Sequence, residues 1–388
     1  MGIIGLVGPI GSGCSYVGDL ICEEYEYEKI SLSDILKEKY LEDHPGSTED
    51  DFKKRSTLQD YGNDLRKSGG NDFLSQLAIK KIRKSKKNFV IDSIRNPGEV
   101  ECLRKEYANF YLFGIFADQS TRYDRTKEKY DYDFREFEID DERDSGERDD
   151  YGQQVTKCFK GADLVIINND KLRPGSENEK DFKAKIKEKV SLVQKDIPFR
   201  PSPIETYMSM AYAASMRSSC IKRRVGAIIV DETGCVISSG YNEVPIMQKS
   251  CLAEYGTCYR GILKRDFKEQ LSEIITSEEE RDNVFEKFKS NFKILDDCRS
   301  LHAEENAIVN IARTGSSQYL HSAILYTTTY PCNLCANKIV QVGIKSLVYF
   351  EPYPQKEAKE ILAKGKVDQT PFEGVTYNGY FRLMEVVD

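Results

Sequence analysis

Two short segments thirty residues apart limit the folds open to this chain more than any other feature. They are His302-Ala303-Glu304 and Pro331-Cys332-Asn333-Leu334-Cys335. Cys332 and Cys335 are spaced one helical turn apart, so both sulfurs can meet one metal ion at the start of a helix. A helix N-terminus favours the thiolate form of such cysteines, and Pro331 suits the entry to one. His302, expected to open another helix, supplies a third ligand. A catalytic zinc takes three protein ligands and leaves a fourth position for water, whose pKa it lowers toward neutrality. Glu304 then serves as a carboxylate beside that water, placed to move protons. A structural zinc normally has four ligands and needs no acid. The chain must therefore fold so that two helix starts from separate segments converge on one point.

At 388 residues the chain has room for two or three domains. Three prolines at 198, 201 and 203 cannot continue a helix and read as a linker over 198–203. The boundary separates 1–197 from 204–388. In the first part, apolar runs at 2–7, 87–92, 108–116 and 162–167 alternate with helix-prone segments such as 31–40, 71–85 and 180–194. That order predicts a doubly wound parallel α/β sheet. In the second part, helices at 204–216, 301–314 and 332–342 alternate with strands at 225–230, 234–239, 323–328 and 346–350. The prediction is an α/β/α domain, interrupted at about 259–295 by a charged, helix-prone insertion.

Around the metal motif, further segments follow in a fixed order. They are Arg217-Ser218-Ser219-Cys220, Arg224-Val225-Gly226-Ala227, Gly240-Tyr241-Asn242-Glu243, His302 through Ile308, Tyr326 through Cys332, and Glu351-Pro352-Tyr353-Pro354. In that order they resemble the deoxycytidylate deaminases, over nearly all of 204–388 outside the insertion. Nucleic-acid deaminases share the zinc motif but not the Gly-Tyr-Asn segment with Glu-Asn-Ala-Ile. The resemblance implies a cytidine-deaminase-like fold, Zn2+ on His302, Cys332 and Cys335, and Glu304 as proton shuttle. It implies that Asn242 contacts the deoxyribose hydroxyl and Tyr353 stacks near the base. Arg217 and Arg224 are candidates for the phosphate, and the backbone of Ala303 and Thr328 for the pyrimidine edge. Glu243 departs from the glycine usual in the family. Some relatives carry a second, structural zinc; Cys251, Cys258 and Cys298 bracket the insertion, one ligand short of that set, with Cys220 or His321 as the fourth.

The first part carries Gly8-Pro9-Ile10-Gly11-Ser12-Gly13-Cys14-Ser15 after its first apolar strand. This is the spacing of the phosphate-cradling loop, with Cys14 where the lysine belongs. Backbone N–H groups from Gly8 to Gly13 can still hold phosphate, and Ser15 can still face Mg2+. The cation that follows charge onto a transferring phosphoryl group is missing, so nucleotide binding is expected and kinase turnover is not. Asp92, Asp34, Arg122 and Arg125 add a resemblance to the nucleoside-monophosphate and dephospho-coenzyme-A kinases. A degenerate P-loop kinase-like domain ahead of a deoxycytidylate deaminase resembles the bacterial anti-phage dCTP deaminases. That family implies deamination of deoxycytidine nucleotides (dCTP, dCMP or both) to starve phage replication, and silence before infection, in some members through a small RNA. A homo-oligomer and a regulatory nucleotide are expected partners.

Net charge is −7, but residues 131–150 alone hold eleven acids against three arginines. The rest of the chain is near neutral, which argues against a protein held on nucleic acid by phosphate neutralisation. The acidic segment is expected to be a solvated loop or a mobile lid. Eleven cysteines, an odd number, with no basic stretch before the first apolar run, point to reduced thiols and a cytoplasmic protein. No apolar run is long enough for a membrane helix. On residues alone, two other readings stay open: a polynucleotide deaminase, and a nucleotide-responsive regulator whose zinc is structural.

Overall fold

The computed structural model describes residues 1–52, 55–147, 149–291, 298–315, 317–351 and 356–384. It divides into two compact units, Met1–Glu205 with Glu373–Asp388, and Thr206–Phe372. The strands are β1 (Ile3–Val7), β2 (Tyr27–Ser31), β3 (Asn88–Asp92), β4 (Phe110–Phe116), β5 (Leu164–Ile167), β6 (Gly226–Val230), β7 (Val236–Tyr241), β8 (Ile324–Thr327), β9 (Ser346–Tyr349), β10 (Asp368–Pro371) and β11 (Gly374–Val375).

The first unit is built on a six-stranded sheet of order β11-β5-β4-β1-β3-β2. All its pairs are parallel except β11 with β5. Every residue of β1 and β4 is buried, as expected of parallel strands covered on both faces. Alternate side chains feed different cores. Ile3 and Val7 pack with Leu74, Ile82 and Leu103 on one face. Ile4 and Leu6 pack with Val17, Phe182 and Val190 on the other. The glycine loop joins β1 to the helix Cys14–Glu24, with Gly11 and Gly13 at positive φ (79° and 98°).

Two expectations need correcting here. The boundary at 204–388 fails at its far end, because β11 returns to pair with β5. The following helix, Tyr377–Met384, carries Arg382, whose Nη1 is 2.8 Å from Oδ1 of the fully buried Asp163. Val375 N donates to Glu205 Oε1 at 2.6 Å. These bonds tie the last segment to the first unit. The acidic stretch is also not a solvated loop. It forms the helix Phe134–Ser145, capped by the Asp133 carboxylate and anchored by the buried Phe137. Asp141 and Asp144 are buried as well, paired with Arg122 and with Arg95 and Arg55. Arginines elsewhere in the unit neutralise acids that sequence order alone leaves unpaired.

The second unit is a mixed five-stranded sheet, β10-β9-β8-β6-β7. β6 is antiparallel to β7 and β8, while β8, β9 and β10 run parallel. Ala227, Ile229, Leu325 and Leu347 meet Ala307, Ile311 and Ile339 in its core. The helix Ala303–Thr314 lies so close to β7 that a Cβ on Gly240 would come within 2.2 Å of the Ala303 carbonyl oxygen. Three side chains lock that contact. Ser238 donates to Ala307 O at 2.7 Å, Asn306 to Tyr241 O at 2.7 Å and Asn310 to Ser239 O at 2.9 Å. The charged insertion is a pair of helices, Tyr259–Ile274 and Glu278–Asn291, joined by Phe267 against Phe285 and by Lys268 with Asp282.

Candidate metal and nucleotide site

Both halves of the motif sit at helix starts, as their spacing predicts. His302 is the N-cap of Ala303–Thr314 and Cys332 the N-cap of Asn333–Gln341, with Cys335 in its first turn. His302 Nδ1 lies 3.3 Å from Cys332 Sγ and 3.4 Å from Cys335 Sγ. Donors of one tetrahedral zinc stand about 3.5 Å apart for a nitrogen and a sulfur, so the three residues fit the ion. Among the described residues, theirs is the one group of three or more His, Cys, Asp or Glu donors within 4.8 Å of one another. The Cys335 sulfhydryl and His302 pull the Cys332 thiol below its ordinary value.

Glu304 follows on the same helix and is 2% exposed, with Oε2 3.7 Å from Cys335 Sγ. Burial raises its pKa, against a smaller opposing pull that includes His302. A carboxyl so placed holds a proton more readily than one in water. The next residue, Glu305, was not singled out from sequence. Its Oε2 accepts from His302 N at 3.3 Å and its Oε1 is 2.9 Å from Lys338 Nζ. One side chain therefore joins the histidine's helix to the cysteines' helix.

A cavity of about 500 Å³ opens over His302, Glu304 and Cys332. Asn242 lines it, and its amide is held at both ends: Oδ1 accepts from Val225 N at 2.7 Å and Nδ2 donates to Arg223 O at 2.9 Å. The wall it holds presents Lys222 and Arg223. Arg260 and Lys264, on one face of Tyr259–Ile274, add two more cations from the insertion. These four were missed in sequence. Only the i,i+4 spacing of Arg260 and Lys264 hinted at a shared face.

The expected phosphate arginines are elsewhere. Arg217 lies over the Tyr241 ring at 5.0 Å and Arg224 is exposed, and neither lines the cavity. The Asn242 amide pins the backbone on either side of residue 224, which leaves Arg224 outside the wall. Thr328 N is already committed to Gly226 O at 3.0 Å and is not free for a base. Tyr353 lies outside the described residues. Glu243 needs no glycine-like φ. It forms a bridge with Leu301, and its carboxylate accepts from Ser219 N at 2.8 Å and Ser219 Oγ at 2.6 Å. Cys251, Cys258 and Cys298 line one small cleft with Cys220, and no three of their sulfurs lie within 4.8 Å of one another. His321 does not join them: its ring lies against Gly343, whose Cβ position is 3.1 Å from Nδ1.

In the first unit, Ser15 Oγ donates to Asp92 Oδ2 at 2.7 Å. Burial, then the Asp92 charge, push the Cys14 thiol up to about 12. Asn168 Nδ2 donates to Ser12 O at 2.8 Å, and Arg125 contacts Asn168 Oδ1 at 3.3 Å. Arg122 is buried against Asp141 and Ile10 O, so it is not a free lid arginine. No helix among the described residues is long and apolar enough to cross a membrane.

A mixed α/β unit with a His-Cys-Cys set and a buried neighbouring glutamate defines a zinc-site class found in deaminases. The model of the cytidine and deoxycytidylate deaminase zinc-binding region matches residues 201–351. The chain is 37% identical over 155 residues to the deoxycytidylate deaminase of Schizosaccharomyces pombe, covering 40% of this chain and 39% of that protein. It is 33% identical over 156 residues to the deoxycytidylate deaminase of Enterobacteria phage T4, covering 39% of this chain and 79% of that one. The chain spans about two fifths of the length of the yeast relatives it matches. A crystal structure of the cyanophage S-TIM5 dCMP deaminase with dCMP and dUMP is 24% identical, with a TM-score of 0.31, covering 45% of this chain and 99% of that one. The chain belongs to the deoxycytidylate deaminase family.

Proposed function

We propose that residues 206–372 hydrolyse the 4-amino group of a free deoxycytidine nucleotide, dCMP, dCTP or both, to give the deoxyuridine nucleotide and ammonia. The observation that carries this reading is the buried Glu304 beside His302, Cys332 and Cys335, with Glu304, His302 and Cys332 lining one cavity. When bound, zinc supplies a water acidic enough to attack at neutral pH. Held by His302, Cys332 and Cys335, the ion would supply that chemistry, and Glu304 is placed to take one proton from the attacking water and give it to N3 as the C4–O bond forms. Glu304 would then carry the proton of the C4 hydroxyl to N4, so that the C4–N4 bond breaks, ammonia leaves and C4=O remains. Its burial favours the protonated state that the return steps need. Asn242 holds the wall and presents its remaining hydrogen-bonding capacity to the sugar. Lys222, Arg260 and Lys264 supply the positive field for the phosphates, beside Arg223, which is paired with Glu351.

Mass analysis of the products from dCMP, dCTP and CTP, with ammonia release, tests this directly. Glu304→Ala should lower turnover by at least about a hundredfold while keeping one zinc per chain. An active Glu304→Ala protein, or equal activity on single-stranded DNA, would sink the assignment.

The first unit we read as a P-loop kinase-like domain that binds nucleotide without ordinary kinase turnover. Supports are its parallel sheet with β1 at the centre, the glycine loop, and the Ser15–Asp92 pair where Mg2+ would sit. Titration of the full chain with ATP and Mg2+ tests it, and phosphoryl transfer at kinase rates would refute it. A role in anti-phage defence by dCTP depletion, a cytoplasmic setting, homo-oligomers and control by a small RNA rest on the resemblance of the fused architecture alone. Infection assays and light scattering test them.

A further inference from the structure

The cavity wall that carries Lys222 has no regular structure of its own. Residues 218–225, between the helix Pro203–Ser215 and β6, form neither helix nor strand. No backbone ladder fixes such a segment, so side chains must. Ser218 Oγ donates to Asn242 O at 2.6 Å. The next residue is held by the Glu243 carboxylate, whose Oε2 accepts from Ser219 N at 2.8 Å and Oε1 from Ser219 Oγ at 2.6 Å. Oε1 also accepts from Val244 N at 2.9 Å, which fixes the carboxylate in place. On the main chain, Glu243 N donates to Leu301 O at 3.2 Å and Leu301 N to Glu243 O at 2.9 Å. Leu301 immediately precedes His302. One residue thus grips the approach to the metal set with its backbone and the cavity wall with its side chain.

We infer that Glu243 is a positioning residue for the substrate's phosphate: its carboxylate sets where Lys222 presents its charge relative to His302. The inference rests on the deaminase reading of this cavity. Lys222 follows Ser219 by three residues and lines the cavity with His302 and Glu304. Arg223, beside it, is already paired with Glu351. Lys222 is therefore the cation this wall offers to an anion. A lysine is a point charge on a flexible stem, so its reach depends on where its backbone stands. Glu243 itself does not line the cavity and acts through Lys222. Ser219 is exposed, so water takes over its N–H and hydroxyl when the carboxylate is removed. The fold then survives while the placement is lost.

The test is steady-state deamination of dCMP and dCTP by the full chain, with calorimetric binding of dUMP and dUTP. The proteins are the wild type, Glu243→Ala, Glu243→Gln, Lys222→Ala and the Lys222→Ala/Glu243→Ala double variant. In Glu243→Ala, KM for the preferred nucleotide should rise about tenfold while kcat stays within about twofold and one zinc per chain is kept. Glu243→Gln should recover part of that loss, since its amide oxygen still accepts from Ser219 N. The double variant should bind no more weakly than Lys222→Ala alone, because the carboxylate acts through that lysine. An unchanged KM in Glu243→Ala would overturn the proposal. So would a loss confined to kcat, and so would additive losses in the double variant. If Glu243→Ala fails to fold, Ser219→Ala removes only the hydroxyl bond and should raise KM about threefold; no rise would count against the proposal in the same way. The product titrations keep the two readings apart. A wild type that binds dUMP or dUTP, loses affinity in Glu243→Ala and deaminates neither nucleotide would refute the deaminase reading and uphold the role of Glu243.

Discussion

At the scale of single residues, the chain separates cysteines that do chemistry from those that do not. Cys332 and Cys335 converge with His302, while Cys14 stands half-buried near Asp92 with its pKa pushed up to about 12. At pH 8 its thiolate fraction is then about one in ten thousand. Iodoacetamide labelling followed by peptide mass analysis should leave Cys14 unmodified while the exposed Cys235 reacts. Rapid labelling of Cys14 would contradict the raised pKa of its thiol. A strong chelator should abolish deamination, and added zinc should restore it. Cys332→Ser should fall short of full restoration, because its weaker ligand leaves only two of the original donors. The convergence of His302, Glu304, Cys332 and Cys335 was legible in sequence because their order and spacing follow helix geometry. The cations lining the cavity were not: charge near a strand points to Arg217 and Arg224, but the Asn242 amide helps decide which neighbours face the cavity.

At the scale of elements, helix starts do most of the positioning. Ala303–Thr314 is fixed on β7 by Ser238, Asn306 and Asn310, and Glu305 with Lys338 ties it to Asn333–Gln341. Glu305 touches no reacting atom and acts through His302, which makes it a positioning residue. Glu305→Ala should weaken zinc binding by about ten- to a hundredfold, read by competition with a chromogenic chelator. Glu305→Gln should recover part of that loss, since its amide oxygen can still accept from His302 N. Equal zinc affinity in all three proteins would show that the bridge is ornamental. The helix Phe134–Ser145 carries the opposite lesson. Its acids read as solvated charge because their partners, Arg55, Arg95 and Arg122, lie at sequence distances no local pattern reports. β2 was missed for a related reason: Tyr27-Glu28-Lys29-Ile30-Ser31 has too little apolar content to announce a strand, and pairing with β3 makes it one.

At the scale of the whole molecule, alternation of strands and helices made both α/β units legible, and the prolines marked the first crossing between them. Nothing marked the second crossing. The segment 373–384 has ordinary composition, and only pairing with β5 and the Asp163 ion pair reveal its allegiance. Arg382→Ala should cost the first unit about 1–3 kcal/mol by stripping a partner from a fully buried carboxylate, although Arg104 remains. That should lower its calorimetric transition by several degrees. An unshifted transition would show that Arg104 alone suffices. The interrupted unit also carries a consequence for biosynthesis. A ribosome delivers residues 1–205 first, then the whole catalytic segment, and only afterwards the strand and helix that close the edge of the first sheet. Until then β5 has a free edge and Asp163 lacks Arg382, so the nascent first unit waits, incomplete, while the deaminase portion is made. Any polypeptide stalled or clipped between 206 and 372 leaves that edge uncovered, which marks truncated chains as candidates for aggregation and proteolysis.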